Sequence, residues 1–350
     1  MSMLAELVDL VIGVDTHTDT HTAALLAVST RQVLATTTVA ADPHGYDQLI
    51  ELAHHHGGVR GWAIEGAGGY GAGLTRHLHT RGELVVELDR PARPPRRHGA
   101  KSDVIDAERA ATDALARVHL AAPKTGPQRA GLAMLLTARR SAVQAAADAQ
   151  KQLQALVITA PEPVRARFRG HTPTTMIGIA ARLRPHRDTG DLEVFTALSV
   201  LRALARRITT LHTEAREHER AITTIIRSWR PDLLELPGVG PTTAATVLTA
   251  WSHPGRVRSD AAFAMLAGTA PIPASSGKTV RHRLNHSGNR QLNRALHVIA
   301  VSRMRYDPTT RAYTQRRRAE HKTDREIRRC LKRYIARQLY RQLEAGQPTT

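Results

Sequence analysis

VDLVIGVDTHTDTHTAALLAV, residues 8–28, holds two apolar runs separated by threonine, histidine and aspartate. Val8–Val14 is a short apolar run that ends on Asp15, THTDTHT follows, and AALLAV resumes the apolar pattern. That reading predicts two strands joined by a tight hairpin. Working outward, Val33–Val39 continues the extended pattern, and Pro43 and Gly45 punctuate the chain before a helix over Tyr46–His55. Trp62–Glu65 is a strand that runs into the glycine-rich turn Gly66–Gly73, a helix covers Leu74–Thr80, and Leu84–Leu88 is another strand. Hairpin strands first and helix-linked strands afterwards predict an α/β region, a mixed sheet with helices on its faces.

The rest of the chain reads as mainly α. Residues 90–102, RPARPPRRHGAKS, form a proline- and arginine-rich loop, and a helix begins at Asp103 and runs to about Val118. Pro127–Thr159 is rich in alanine and leucine with few breakers, so it predicts one long helix. Residues 160–190 carry Pro161, Pro163, Gly170, Pro173 and Pro185 and read as irregular. Helical periodicity resumes at Leu198, Leu201, Leu204, Ile208 and Leu211 and continues to Ile222 and Ile226; the spacing suits either a coiled-coil seam or a buried bundle helix. LELPGVGPTTAATVLTAW, residues 234–251, reads as a helix, a two-glycine hairpin and a second helix. Helices over Asn289–Arg305 and about 323–343 close the chain.

Composition narrows the function. Among 350 residues, 50 basic and 31 acidic side chains give a formal net charge of +19. A hydrophobic content of 41% supports a real core. The single cysteine, Cys330, rules out an internal disulfide and a four-cysteine zinc site. No apolar run reaches the roughly 18 residues of a membrane span, and the opening MSMLAELVDL lacks a basic leader region. The sequence therefore predicts a soluble, cytoplasmic chain with no membrane partner, attracted to a polyanion. Nucleic acid is the first expectation.

Four carboxylates stand out. Asp15 and Glu65 end strands, and Asp103 and Asp106 sit three apart at the start of a helix, on one face. If the two strands are neighbours, their carboxylates converge on the helical pair. Four carboxylates in one place repel, and hard divalent cations remove that conflict. Two such ions about 4 Å apart activate an attacking oxygen and stabilise a leaving one in phosphoryl transfer. The plainer alternative is that Asp103 caps its helix, Asp106 is solvated, and Asp15 and Glu65 merely end strands. His17 and His21 flank Asp15 and His54–His56 form a cluster; surface histidines beside a polyanion-binding face are the first reading and a transition-metal role the minor alternative, since no matching second ligand pair is visible.

Gly238 and Gly240 in LPGVGPTTAA resemble the turn of a helix-hairpin-helix, in which backbone approaches a phosphate; an ordinary helix–helix turn is the alternative. Ser275 and Ser276 lie in PIPASSGK beside Lys278, with Arg281 and Arg283 following. A serine can attack phosphorus when a base or metal activates it, and a bare loop is the plainer reading. Lys101, Lys278, Arg281 and Arg283 would neutralise phosphate charge, with Arg290 a further candidate nucleic-acid contact. The run Arg311–Arg341 alternates basic residues with Tyr313, Tyr334 and Tyr340, a solvated face or a phosphate-tracking surface. Aromatics make up only 3% of the chain, which argues against base stacking as the main source of affinity.

Taken in order, these blocks resemble the DEDD transposases of the insertion sequence 110 type over most of the chain. GVDTHTDTHTAAL, AIEGAGGYGAGL and RRHGAKSDVIDAERAA look like the three blocks of that family's RuvC-like, ribonuclease-H-fold domain. LLTARRSAVQAAADAQKQLQALVITAP looks like its helical connector, and LPGVGPTTAATVL and AGTAPIPASSGKTVRHRLNHSGNRQLNRAL look like its serine-bearing domain. The resemblance implies three segments: 1–122 RuvC-like, 123–230 helical linker, and 231–345 serine-containing domain with the hairpin and a basic C-terminal helix. It implies a metal tetrad of Asp15, Glu65, Asp103 and Asp106 holding Mg²⁺, two ions per site. Ser276 is implied as the nucleophile, being the serine directly before glycine, with Ser275 the alternative. The implied partners are DNA (element ends and target), a bridge RNA, and further copies of the chain in a dimer or tetramer, nucleoid-associated when bound to DNA. A water-using junction nuclease and a non-catalytic basic nucleic-acid-binding protein are the competing functions.

Overall fold

The computed structural model describes residues 3–88, 102–186, 191–274, 282–283, 285 and 287–345. The chain forms two compact units, Met1–Gly126 with Ser252–Val257, and Pro127–Trp251 with Arg258–Thr350. The helical stretch after Gly126 thus shares a unit with the C-terminal region. No described helix is long and apolar enough to cross a membrane.

In the first unit, strands β1 (Leu10–Thr16), β2 (Thr20–Ala27), β3 (Val33–Ala40), β4 (Arg60–Glu65) and β5 (Leu84–Leu88) make one sheet in the order β3-β2-β1-β4-β5. The β1/β2 and β2/β3 pairs are antiparallel, and β1/β4 and β4/β5 are parallel. This five-stranded mixed sheet with flanking helices fits a ribonuclease-H-like domain. Helices α1 (Leu4–Leu7), α2 (Pro43–His55), α3 (Ala72–Thr80) and α4 (Asp103–Ala116) complete it. α2 starts three residues before the expected Tyr46. Asp42 caps it by accepting a hydrogen bond from the Gly45 amide, and Pro43 stands in the first turn, where its missing N–H costs nothing.

Alternation along β1 sorts its side chains between two cores. Leu10, Ile12 and Val14 pack with Leu25, Trp62 and Ile64 against Leu49, Ile50, Leu74 and Leu78 of α2 and α3. Val11 faces the other way, with Ala24, Leu26, Ala63 and Val86, against Ala107, Ala110, Ala111 and Ala114 of α4. Both faces are covered, which is why β1 reads as a continuous apolar run. Trp62 is fully buried, and its indole N–H donates to Glu83, which also pairs with Arg60. On the α4 face small residues let the helix come close. A Cβ at Gly13 would overlap the Ala107 carbonyl oxygen and stand 2.5 Å from the Ala111 amide nitrogen. Ser252–Val257 is tied into this unit by Arg256, which donates to the Ala122 carbonyl and pairs with Glu87, each at 3.0 Å.

In the second unit, α5 (Pro127–Thr159) and α8 (Leu192–Trp229) run antiparallel: Gly131 lies against Ile225, and Arg139 pairs with Glu219 at 3.0 Å. Leu198, Leu201, Ala205 and Ile208 of α8 share a core with Ala149, Leu153 and Val157 of α5 and with Val164, Phe168 and Ala180. Those last three belong to residues 160–190, where the structure departs from the irregular reading. α6 (Glu162–Arg165), a 3-10 turn over Ala166–Phe168 and α7 (Pro173–Ala181) occupy that stretch. Pro163 and Pro173 start helices here rather than breaking them.

Arg230, at 4% exposure, ends α8 and makes a two-pronged pair with Asp232 while donating to the Gln342 and Leu343 carbonyls. The Arg230 hydrogen bond holds the Asp232 carboxyl below the usual carboxylate range. Pro231–Glu235 is a 3-10 turn, not the α-helix expected before the two glycines. α9 (Pro241–Trp251) follows, then α10 (Asp260–Leu266), the two-residue strands β6 (Ile272–Pro273) and β7 (His282–Arg283), and helices α11 (Arg290–Tyr306), α12 (Pro308–Ala319) and α13 (Asp324–Ala345). Gly238 has φ +75°, and a Cβ there would stand 3.0 Å from the Ile299 carbonyl oxygen and 3.2 Å from Ser302 Cβ. Gly238 therefore serves packing against α11, whereas nothing lies within 4 Å of a Cβ at Gly240.

Two stability predictions follow from these contacts. Gly13→Ala should cost about 2–3 kcal/mol, because the added methyl meets helix backbone that cannot swing aside. An unchanged thermal midpoint would contradict the close seating of α4. Gly238→Ala should cost about 1–3 kcal/mol through its positive φ and the Ile299 contact, while Gly240→Ala should stay within about 0.5 kcal/mol. Guanidinium unfolding of both variants checks the contrast.

Candidate active site

The alternation that sorts the core also aims the acids. Asp15 follows Val11 and Gly13 on the α4 face of β1, and Glu65 follows Ala63 on the same face of β4. The parallel register pairs Val14 with Ile64, so Asp15 and Glu65 stand side by side one step further on. The Thr16 hydroxyl donates to the Glu65 carbonyl at 2.9 Å and holds the two strand ends together. α4 runs against β1: Ala107 lies on Gly13, and one helical turn earlier Asp103 reaches the level of Asp15 and beyond. Acids in a first helical turn are also favoured by the helix dipole.

The result is a compact donor group. Asp15, His17 and Asp103 each offer a ligand atom, and these atoms lie within 4.8 Å of one another. His17 Nε2 is 3.2 Å from Asp15 Oδ2 and 3.5 Å from Asp103 Oδ1. The Asp15 side chain is 15% exposed and that of Asp103 49%, so the group opens outward from the strand end. Ser102, not Asp103, occupies the helix N-cap, so Asp103 is not spent on capping. Asp106, in the same first turn, turns one oxygen to Arg109 at 3.0 Å. Glu65 and Asp106 are not members of the three-donor group. Two carboxylates at this spacing repel unless a cation or proton lies between them. His17 Nε2 is buried without a hydrogen-bond partner. Carboxylate oxygens with one imidazole nitrogen facing them suit a divalent cation.

The sequence reading set His17 aside as a surface histidine. Its signal was spacing: two residues beyond Asp15 on an extended chain places it on the same face. His21 is different. It is fully buried, its Nδ1 lies 2.9 Å from the Thr20 carbonyl, and it stacks on Tyr46 with ring centroids 5.7 Å apart. Burial lowers its pKa. His54 faces the Arg60 guanidinium, and His55 Nδ1 lies 2.7 Å from the Glu51 carbonyl. Among the described residues, Asp15, His17 and Asp103 are the one group suited to a metal ion.

The other sequence candidates divide as follows. Lys101, Ser275, Ser276, Lys278 and Arg281 lie outside the described residues. Arg283 is exposed on β7, and Arg290 is exposed at the start of α11. The turn holding Gly238 and Gly240 lines an open cavity of about 590 Å³, and Glu219 and Glu235 share that lining, which is not a purely cationic setting for a phosphate. The Gly240 amide donates to the Thr243 hydroxyl at 2.9 Å. In the basic C-terminal run, Tyr313 packs edge-on to Tyr334, and Tyr340 packs on Phe263. Arg337 and Arg341 pair with Asp260, and Arg318 pairs with Asp324.

Residues 12–160 match a transposase family profile of the DEDD, IS110 type. Residues 231–315 match the Transposase IS116/IS110/IS902 family. A relative from Streptomyces coelicolor, the insertion element IS110 uncharacterized 43.6 kDa protein, is 35% identical over 138 residues, which is 39% of this chain. The matched part spans 33% of that relative's length. The first profile takes in β1, β4 and the start of α4, the elements that carry Asp15, Glu65, Asp103 and Asp106, and on these matches the chain belongs to the IS110-type family of DEDD transposases.

Proposed function

We propose that the protein is a DNA transposase of an insertion sequence, cleaving and exchanging strands with divalent cations held by Asp15, Glu65, Asp103 and Asp106. The observation that carries this reading is the meeting of Asp15 and Asp103 at the carboxyl end of β1, within 4.8 Å of a shared third donor. Carboxyl ends of strands in open α/β sheets are where such sites lie. Magnesium bound there, two ions per site, would supply Lewis-acid stabilisation of phosphoryl-transfer charge. The protein's own contribution is to fix the donors: Gly13 seats α4, and Thr16 locks the two strand ends.

In this reading Ser276, with Ser275 as the alternative, is the nucleophile. Its oxygen bonds to a DNA phosphorus, its proton passes to a base, and the scissile P–O bond breaks to leave a sugar hydroxyl. Lys101, Lys278, Arg281, Arg283 and Arg290 offset phosphate charge, and the Gly238–Gly240 turn with the start of α9 grips backbone. Residues 1–122, 123–230 and 231–345 serve as RuvC-like, linker and serine segments, with α5 and α8 the coiled-coil part. A bridge RNA pairs with element and target DNA, and the active assembly is a dimer or tetramer in the cytoplasm, on the nucleoid when bound to DNA.

The test is reconstitution with flanking element DNA, its RNA, target DNA and Mg²⁺. Wild type is expected to form a covalent protein–DNA adduct that Ser276→Ala abolishes. Asp15→Ala is expected to lower strand transfer by more than about a hundredfold, as loss of transition-state charge stabilisation does. Adduct yield unchanged in Ser276→Ala and Ser275→Ala together would remove the serine route. Metal-dependent cleavage without adduct would identify water as the nucleophile, and undiminished transfer in Asp15→Ala would overturn the metal site.

A further inference from the structure

We propose that His17 supplies a nitrogen ligand to the cation held by Asp15 and Asp103, making this a mixed nitrogen–oxygen site that favours Mn²⁺ over Mg²⁺. The inference rests on the metal-site reading above and adds a residue outside its carboxylate tetrad.

Three observations support it. First, the ring is aimed by backbone. His17 follows β1 on the Asp15 face, and its amide donates to the Thr20 carbonyl at 3.0 Å, which fixes the turn into β2. Second, one ring nitrogen faces both acids. The His17 side chain is 41% exposed as a whole, yet Nε2 itself is inaccessible and has no hydrogen-bond partner despite two carboxylate oxygens at 3.2 and 3.5 Å. Third, the spacing fits coordination. Two donors bonded at about 2.1 Å to one ion stand roughly 3.0 Å apart at right angles and roughly 3.4 Å apart at a tetrahedral angle. The two observed separations fall at that scale without any rearrangement of the chain.

The chemical consequence is selectivity. Mg²⁺ takes oxygen ligands almost exclusively and gives up water reluctantly, whereas first-row transition ions accept imidazole as well as carboxylate. An oxygen-only tetrad would hold Mg²⁺ and Mn²⁺ alike apart from geometry. A histidine in the group tips the balance toward the transition ion.

The experiment uses the full chain without nucleic acid. Mn²⁺ binding is followed by electron paramagnetic resonance, with Mg²⁺ as competitor, and pulsed measurements read ¹⁴N coupling to bound Mn²⁺. Wild type should show ¹⁴N coupling that His17→Ala and His17→Gln lose. His17→Ala should weaken Mn²⁺ binding by about tenfold or more, the scale on which disturbed metal sites lose affinity, while Mg²⁺ competition changes less than about threefold. Bound Mn²⁺ that Asp15→Asn or Asp103→Asn releases, but that shows no nitrogen coupling, overturns the role of His17 and leaves the acidic site standing. Equal weakening of both ions in His17→Ala, with far-ultraviolet circular dichroism unchanged, does the same. No Mn²⁺ binding sensitive to either aspartate overturns the metal-site reading and this inference together.

Discussion

The approach of α4 to β1 over Gly13 is the constraint on which the site depends. Any larger residue there would push the helix off the sheet, because the neighbouring atoms are helix backbone rather than movable side chain. Alanines at 107, 110, 111 and 114 continue the same thin interface. Small residues bury little area each, so this contact contributes less hydrophobic stabilisation than the opposite face, where Trp62, Leu49, Leu74 and Leu78 pack. What it provides is distance. With the helix seated this low, its first turn meets the end of β1, and acids far apart in sequence become neighbours.

Placing acids together is unfavourable, and the surroundings show how the fold tolerates it. Asp103 and Asp106 sit in a first helical turn, where the dipole favours negative charge. Asp106 is partly offset by Arg109. The donor group lies at an open strand end, so water screens what protein does not. Elsewhere the chain carries the opposite charge in excess, +19 overall. Part of that excess is committed to internal pairs such as Arg60 with Glu83, Arg230 with Asp232 and Arg256 with Glu87. The remainder gives the chain a charge that suits a polyanion.

Much of this was legible in the sequence, for identifiable reasons. Period-two alternation and the hairpin signal marked the sheet, and the strand-end position of Asp15 with the helix-start position of Asp103 marked two of the three donors that meet. The uninterrupted alanine-rich pattern marked the long helix from Pro127 to Thr159 at both ends. The misses share a cause, which is that local signals have two meanings. Pro43, Pro163 and Pro173 read as breakers but stand in first turns, where proline is welcome. Gly238 and Gly240 look equivalent in a motif, yet packing on α11 separates them. Of the two acids His17 faces, only Asp15 is visible along the chain, because Asp103 is supplied by a helix 86 residues later in the numbering and brought close only by the fold.

The central claim is that Asp15 and Asp103 present their carboxylates to a common divalent cation at the end of β1. Anomalous X-ray diffraction from crystals soaked in Mn²⁺ tests it most directly. The account predicts a peak within about 2.5 Å of an oxygen from each aspartate, the bonding range of hard cations. A map with no peak there, or with the two carboxylates turned away from one another, would contradict it.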